Sequence, residues 1–235
     1  MIIMDDTAAK KWAKDKRNQV EVLEKFFRDF PPIPHKTAFF MAGIPGAGKT
    51  EFVDQAIRDS MPRLVPLEHD KLVEYIDGYR PENYYNYRKA GSVLVTKVFD
   101  TCIRSGYGFI FDGTLSHENG IRNVRKALKA GYEVYIVYIL QDPDVAWELT
   151  QARELVKKRS IERSGFLNTC AKINENLLSI FRSFRNRPTF NFWVINKSGS
   201  LSHRHATAII HGPELDKTKE VEKVLAANYN LTPEE

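Results

Sequence analysis

Between Phe39 and Val53 the chain reads FFMAGIPGAGKTEFV, an apolar run followed by a glycine- and proline-rich turn and then a helix-like pattern. Glycine reaches backbone conformations closed to other residues, and proline removes an amide donor, so neither strand nor helix continues through residues 43–48. The stretch therefore predicts strand, tight loop and helix in that order.

The rest of the chain repeats the alternation. Strands are predicted over KTAFFMAG, RLVPL, YGFIFDG, YEVYIVYIL and TFNFWVIN. Helices are predicted over KTEFVDQAIRDS, Tyr84 to Arg104, HENGIRNVRKALKAG, and one run from Pro143 to Gly165. This pattern predicts an α/β fold, a three-layer αβα sandwich with a mostly parallel five-stranded sheet and ligands at the carboxyl ends of its strands. Residues 1–34 are expected to form an N-terminal helical arm ended by PPIP, residues 35–200 the core, and residues 201–235 a C-terminal appendage. That appendage is read as a short hairpin and a polar helix, and the whole as a single domain.

At 235 residues, with 43% hydrophobic and 28% charged residues, the chain has the composition of a soluble globular domain. MIIMDD turns acidic after three apolar residues, and no run reaches the roughly 20 apolar residues of a membrane helix, so a cytoplasmic location is expected. Cys102 and Cys170 fall in helix-like segments and read as small buried hydrophobes, not a disulfide framework. A net charge of +5 favours anionic partners.

Gly43-Ile44-Pro45-Gly46-Ala47-Gly48-Lys49-Thr50 matches G-x-x-x-x-G-K-[ST], with a strand before it and a helix after it as that pattern requires. Its backbone amides converge on phosphate oxygens, Lys49 reaches the β- and γ-phosphates, and the Thr50 hydroxyl is a ligand for Mg²⁺. A purine nucleoside triphosphate with magnesium is the expected ligand. A GTPase is disfavoured: NKSG at 196–199 has Gly199 where guanine recognition by N-K-x-D needs a carboxylate, and D-x-x-G is absent.

Transfer of a phosphoryl group to a hydroxyl needs a base near the acceptor and cations around the γ-phosphate. Asp70 and Asp112, each just past a strand, answer the first need: Asp70 as the base, Asp112 through the magnesium shell or the acceptor. The basic run Arg153, Lys157, Lys158, Arg159 and Arg163 answers the second as a lid. Tyr84, Tyr85 and Tyr87, interleaved with Arg80 and Arg88, either pack or stack on bases and sugars. The six histidines show no metal-site spacing.

GIPGAGKT, HDK after the second strand, FDGT after the third and arginines after the fourth together resemble the zeta toxin family of P-loop kinases, over about Thr37 to Asn196. The resemblance implies an enzyme that uses ATP and Mg²⁺ to phosphorylate the 3′-hydroxyl of UDP-N-acetylglucosamine. It implies nucleotide and magnesium roles for Lys49 and Thr50, a catalytic-base role for Asp70 and a phosphate-contacting role for Arg153, with Arg163 a looser match. The family's E-G-T stands here as Asp112-Gly113-Thr114, which implies acceptor binding by Asp112 and Thr114. A family glutamate that holds the sugar nucleotide aligns near Thr96 and Lys97. A small helical antitoxin that blocks the nucleotide site is the implied protein partner. Two other readings stay open: a polynucleotide, RNA or other metabolite kinase, and a non-catalytic nucleotide-gated module.

Overall fold

The computed structural model describes residues 4–57, 63–157, 162–198, 206–227 and 229. Its centre is β1 (Thr37–Ala42), buried along its whole length and paired in parallel with β3 (Phe109–Phe111) on one side and β4 (Glu133–Leu140) on the other. β2 (Val65–Leu67) flanks β3, and β5 (Phe190–Asn196) flanks β4, both in parallel. A strand buried on both faces has no polar side to present, which is why β1 and β4 read as continuous apolar runs and not as alternations.

The sheet has six strands, not five. β6 (Thr207–His211) pairs antiparallel with β5, giving the order β2-β3-β1-β4-β5-β6. The expected hairpin of the tail is this pairing back onto the core, made by a strand whose first two residues are exposed. Its five residues, TAIIH, show no clean apolar–polar alternation, and the partner that makes them a strand lies across a connection.

The arm comprises two helices, α1 (Asp6–Lys14) and α2 (Lys16–Asp29), because Asp15 leaves helical geometry and caps α2 by accepting from the Arg17 amide. A third helix, α3 (Lys49–Phe52), follows the glycine loop and widens at once into a π-helical turn over Val53–Ile57. Short α4 (His69–Val73) follows β2, and long α5 (Tyr84–Ser105) returns to β3. Its buried Tyr87, Ala90, Leu94, Val98 and Cys102 recur at three- and four-residue steps on the face turned to the core. α1 packs on α5, with the Met4 amide donating to the Tyr87 hydroxyl at 3.0 Å and Lys89 pairing with Asp6 at 2.6 Å.

Between β3 and β4 lies α6 (Asn119–Lys129), and after β4 comes α7 (Pro143–Lys157). The single helix expected from Pro143 onward is two: α8 (Arg163–Phe184) starts afresh at Arg163. α9 (Thr218–Ala226) packs on α8. Both cysteines are buried, and burial pushes the Cys102 thiol up to about 12 and that of Cys170 to about 11, as fits packing residues. Among the described residues no helix is long and apolar enough to cross a membrane.

Candidate active site

The chain leaves β1 toward β2 and β3 and then crosses from β3 to β4 on the opposite side, so the strand order reverses at the carboxyl end of β1. Open α/β sheets place their ligands at such a reversal. The glycine loop sits there. Gly46 and Gly48 hold φ of 76° and 86°, in the left-handed region where a side chain strains the backbone. Lys49 folds back across the loop, donating from Nζ to the Gly43 and Ile44 carbonyls at 3.0 Å each.

Gly46 is also the contact point with α7: a Cβ there would lie 2.0 Å from the Ala146 carbonyl oxygen and 2.7 Å from Thr150 Oγ1. Helix backbone cannot yield to such a contact. Gly46→Ala is expected to destabilise the protein by about 2–5 kcal/mol, strain and overpacking together, as measured by urea unfolding.

Asp70 lies in the first turn of α4, immediately past β2. Its neighbour His69 donates from Nε2 to the Arg88 carbonyl at 2.7 Å, leaving Nδ1 to face the Tyr84 hydroxyl at 3.4 Å. His69 thereby anchors α4 to α5, where Gly91 gives it room: a Cβ at Gly91 would lie 2.4 Å from Val73 Cγ1. Asp70 Oδ2 faces Arg153 Nη2 of α7 at 3.8 Å. Tyr84 thus serves the His69 anchor and Tyr87 is buried, whereas Tyr85 stays 49% exposed.

Past β3, Asp112 turns inward. Its Oδ1 atom is buried with no hydrogen-bond partner among the described residues, and burial raises its pKa while the Lys49 ammonium pulls the other way. Burial likewise lowers the pKa of Lys49, against the pull of Asp112. Thr114 is held by its own turn: its hydroxyl lies 2.7 Å from Ser116 Oγ, and the Ser116 carbonyl accepts from Asn176 Nδ2 of α8 at 2.6 Å. Between them Leu115 adopts φ of 53°, a left-handed conformation uncommon for a non-glycine residue. Ser116 and Asn176 carry no motif, and only the packing of α8 over this turn shows what they do.

Lys49, Thr50, Asp70, Asp112, Gly113, Thr114 and Arg153 line one cleft of about 750 Å³, joined by Glu68, Glu74 and Glu82, which the sequence did not single out. Arg163 is not among its lining residues; its guanidinium rests over the Trp147 ring at 4.7 Å. Lys158 and Arg159 of the expected basic lid, and the side chain of Lys157, lie outside the described residues. Thr96 and Lys97 line a second surface cleft of about 580 Å³ with Lys10 and Gln19 of the arm.

The profile of the family described as Zeta toxin matches residues 21–206. Two solved structures are similar in fold. One is from a study of the PezAT chromosomal toxin-antitoxin system of Streptococcus pneumoniae, at 16% identity and TM-score 0.66, covering 90% of this chain and 88% of that one. The other is the AvrRxo1-ORF1:-ORF2 complex with ATP, at 14% identity and TM-score 0.65, covering 97% of this chain and 72% of that one. No curated protein sequence matches the chain.

Proposed function

Because this chain belongs to the zeta toxin family and has its P-loop kinase fold, we propose that it transfers the γ-phosphoryl group of ATP to a hydroxyl acceptor, by family resemblance UDP-N-acetylglucosamine. One observation carries the reading: Lys49 and Thr50 at the end of the glycine loop line the same cleft as Asp70, Asp112 and Arg153. In the proposed reaction the acceptor oxygen bonds to the γ-phosphorus as the bond from that phosphorus to the β,γ-bridging oxygen breaks. The acceptor proton passes to Asp70, and ADP departs. Lys49 and Arg153 spread the charge that develops on the transferring group.

A divalent cation fits the residues present. Among the described residues Asp112 Oδ1 has no hydrogen-bond partner, and Thr50 lines the same cleft. Thr50 and Asp112 would hold Mg²⁺, which when bound neutralises phosphate oxygens. Asp112 and Thr114, with Glu68, Glu74 and Glu82, offer carboxylates and a hydroxyl to a polyhydroxylated acceptor. These groups would serve a sugar nucleotide in place of a carboxylate at Thr96 or Lys97. None of the described arm residues lines the cleft, which supports packing as the arm's role, and the family resemblance makes a separate helical antitoxin the proposed partner.

The decisive assay incubates the protein with γ-labelled ATP and Mg²⁺ against UDP-N-acetylglucosamine, a fractionated metabolite extract and an RNA oligomer. Label on the UDP-sugar is the expected result. Label on RNA, with affinity collapsing as salt rises, would make it a polynucleotide kinase. ATP binding with no labelled product in any arm would make it a nucleotide-gated module.

A further inference from the structure

We infer that Lys197 binds the nucleotide, its ammonium group acting as the counter-charge to the phosphate next to the nucleoside. The inference rests on the ATP reading of the same loop and extends it to the opposite side from the acceptor cleft.

Lys197 belongs to the stretch NKSG, whose likeness to a guanine-reading motif fails at Gly199. Its place in the fold gives it a different use. The Lys197 amide donates to the Leu140 carbonyl at 2.8 Å, continuing the β4–β5 ladder by one residue, and the Ser198 amide donates to Asn196 Oδ1 at 3.0 Å to shape the turn. From there the side chain crosses the glycine loop. A Cβ at Gly48 would lie only 2.4 Å from Lys197 Nζ, so the ammonium sits against the bare face of the glycine that precedes Lys49.

The residue is 4% exposed, and among the described residues its ammonium has no hydrogen-bond or ion-pair partner. Burial of the side chain lowers the pKa of its ammonium, with the Glu51 carboxylate only partly opposing. A ligand anion would oppose that shift and give the ammonium a partner. The direction of the polyphosphate supplies one. In-line transfer sets the acceptor opposite the leaving oxygen, so with Asp70 and Asp112 on the β2–β3 side the nucleoside end must leave across the loop toward β4 and β5. Backbone amides of such a loop cradle the α- and β-phosphates while its lysine reaches β and γ, so a cation at Gly48 falls at the nucleoside end.

The test compares wild type, Lys197→Met, Lys197→Arg and Lys49→Met by calorimetry with MgATP and MgADP, and by thermal melting without nucleotide. Lys197→Met should weaken both nucleotides by about 10- to 100-fold. Its melting temperature should not fall, since among the described residues the ammonium makes no hydrogen bond or ion pair that methionine would lose. Lys197→Arg should recover part of the affinity. Unchanged affinity in Lys197→Met would overturn the inference, as would loss of ATP binding alone, which would place the ammonium at the γ-phosphate. Weaker binding together with a lowered melting temperature would also overturn it by indicating a structural role. Failure of the ATP reading itself looks different: wild type gives no heat with either nucleotide.

Discussion

Lys49→Met will lower the rate of phosphoryl transfer by about 10³-fold or more, in the range seen when a single cation or oxyanion donor is removed from such a transition state. Lys49 Nζ donates to the Gly43 and Ile44 carbonyls, which hold the side chain over the loop. Methionine keeps most of the packing and loses the charge. Single-turnover transfer from labelled ATP measures the effect, and a variant within tenfold of wild type would remove Lys49 from the mechanism.

The same substitution has a pH signature. Asp112 already titrates above the ordinary carboxylate value of 3.8 because it is buried, and Lys49 is the largest opposing influence. Without Lys49 the carboxyl moves higher still. A carboxyl whose folded pKa exceeds its unfolded one holds more protons in the native state, so stability falls as pH rises above 3.8 and through the raised value. Lys49→Met should therefore lose more stability relative to wild type at pH 7 than at pH 5, read from urea unfolding at both values. An equal deficit would mean that Asp112 and Lys49 are not coupled.

Asp70→Asn carries the second large effect: transfer falls by about 10²- to 10⁴-fold, while MgATP affinity stays within a few-fold of wild type. Asparagine keeps the shape and loses the proton acceptor. The fold should tolerate it, because the Asp70–Arg153 pair is long at 3.8 Å and both side chains are well exposed, at 39% and 50%. Pairs of that kind are worth at most about 1 kcal/mol. Calorimetry and the transfer assay on one preparation separate the outcomes, and full transfer by Asp70→Asn would end its assignment as the base.

The two predictions differ in how far their residues could be read from the chain alone. Lys49 and Thr50 belong to an unbroken eight-residue pattern whose geometry is local, since glycine conformations and a helix start need only neighbouring residues. Asp70 and Asp112 were legible one step less directly, as acids just past apolar runs that end at the same edge of a parallel sheet. Arg153 was visible only as one cation in a basic run, and helix α7 had to be packed on Gly46 before its reach to Asp70 could be seen. Arg163 shows the limit of that reasoning: the sequence places it in the basic run, whereas the structure starts a new helix at it and sets its guanidinium on Trp147.

Lys197 shows the converse. Tested against a motif, NKSG fails on one missing carboxylate, and nothing local hints that its lysine lies across a loop about 150 residues earlier. Ser116 and Asn176 were silent for the same reason, and the hairpin read in the tail could not show that its strand pairs with β5.

By itself the sequence determined the alternation of strands and helices, the phosphate loop and the acids at strand ends, because backbone preference and hydrophobic periodicity act between residues close in the chain. Only the tertiary structure decided which cations meet the loop, which carboxylates share the cleft and how the tail closes the sheet. Those contacts join residues far apart in the chain, brought together by the strand order and the burial of apolar faces.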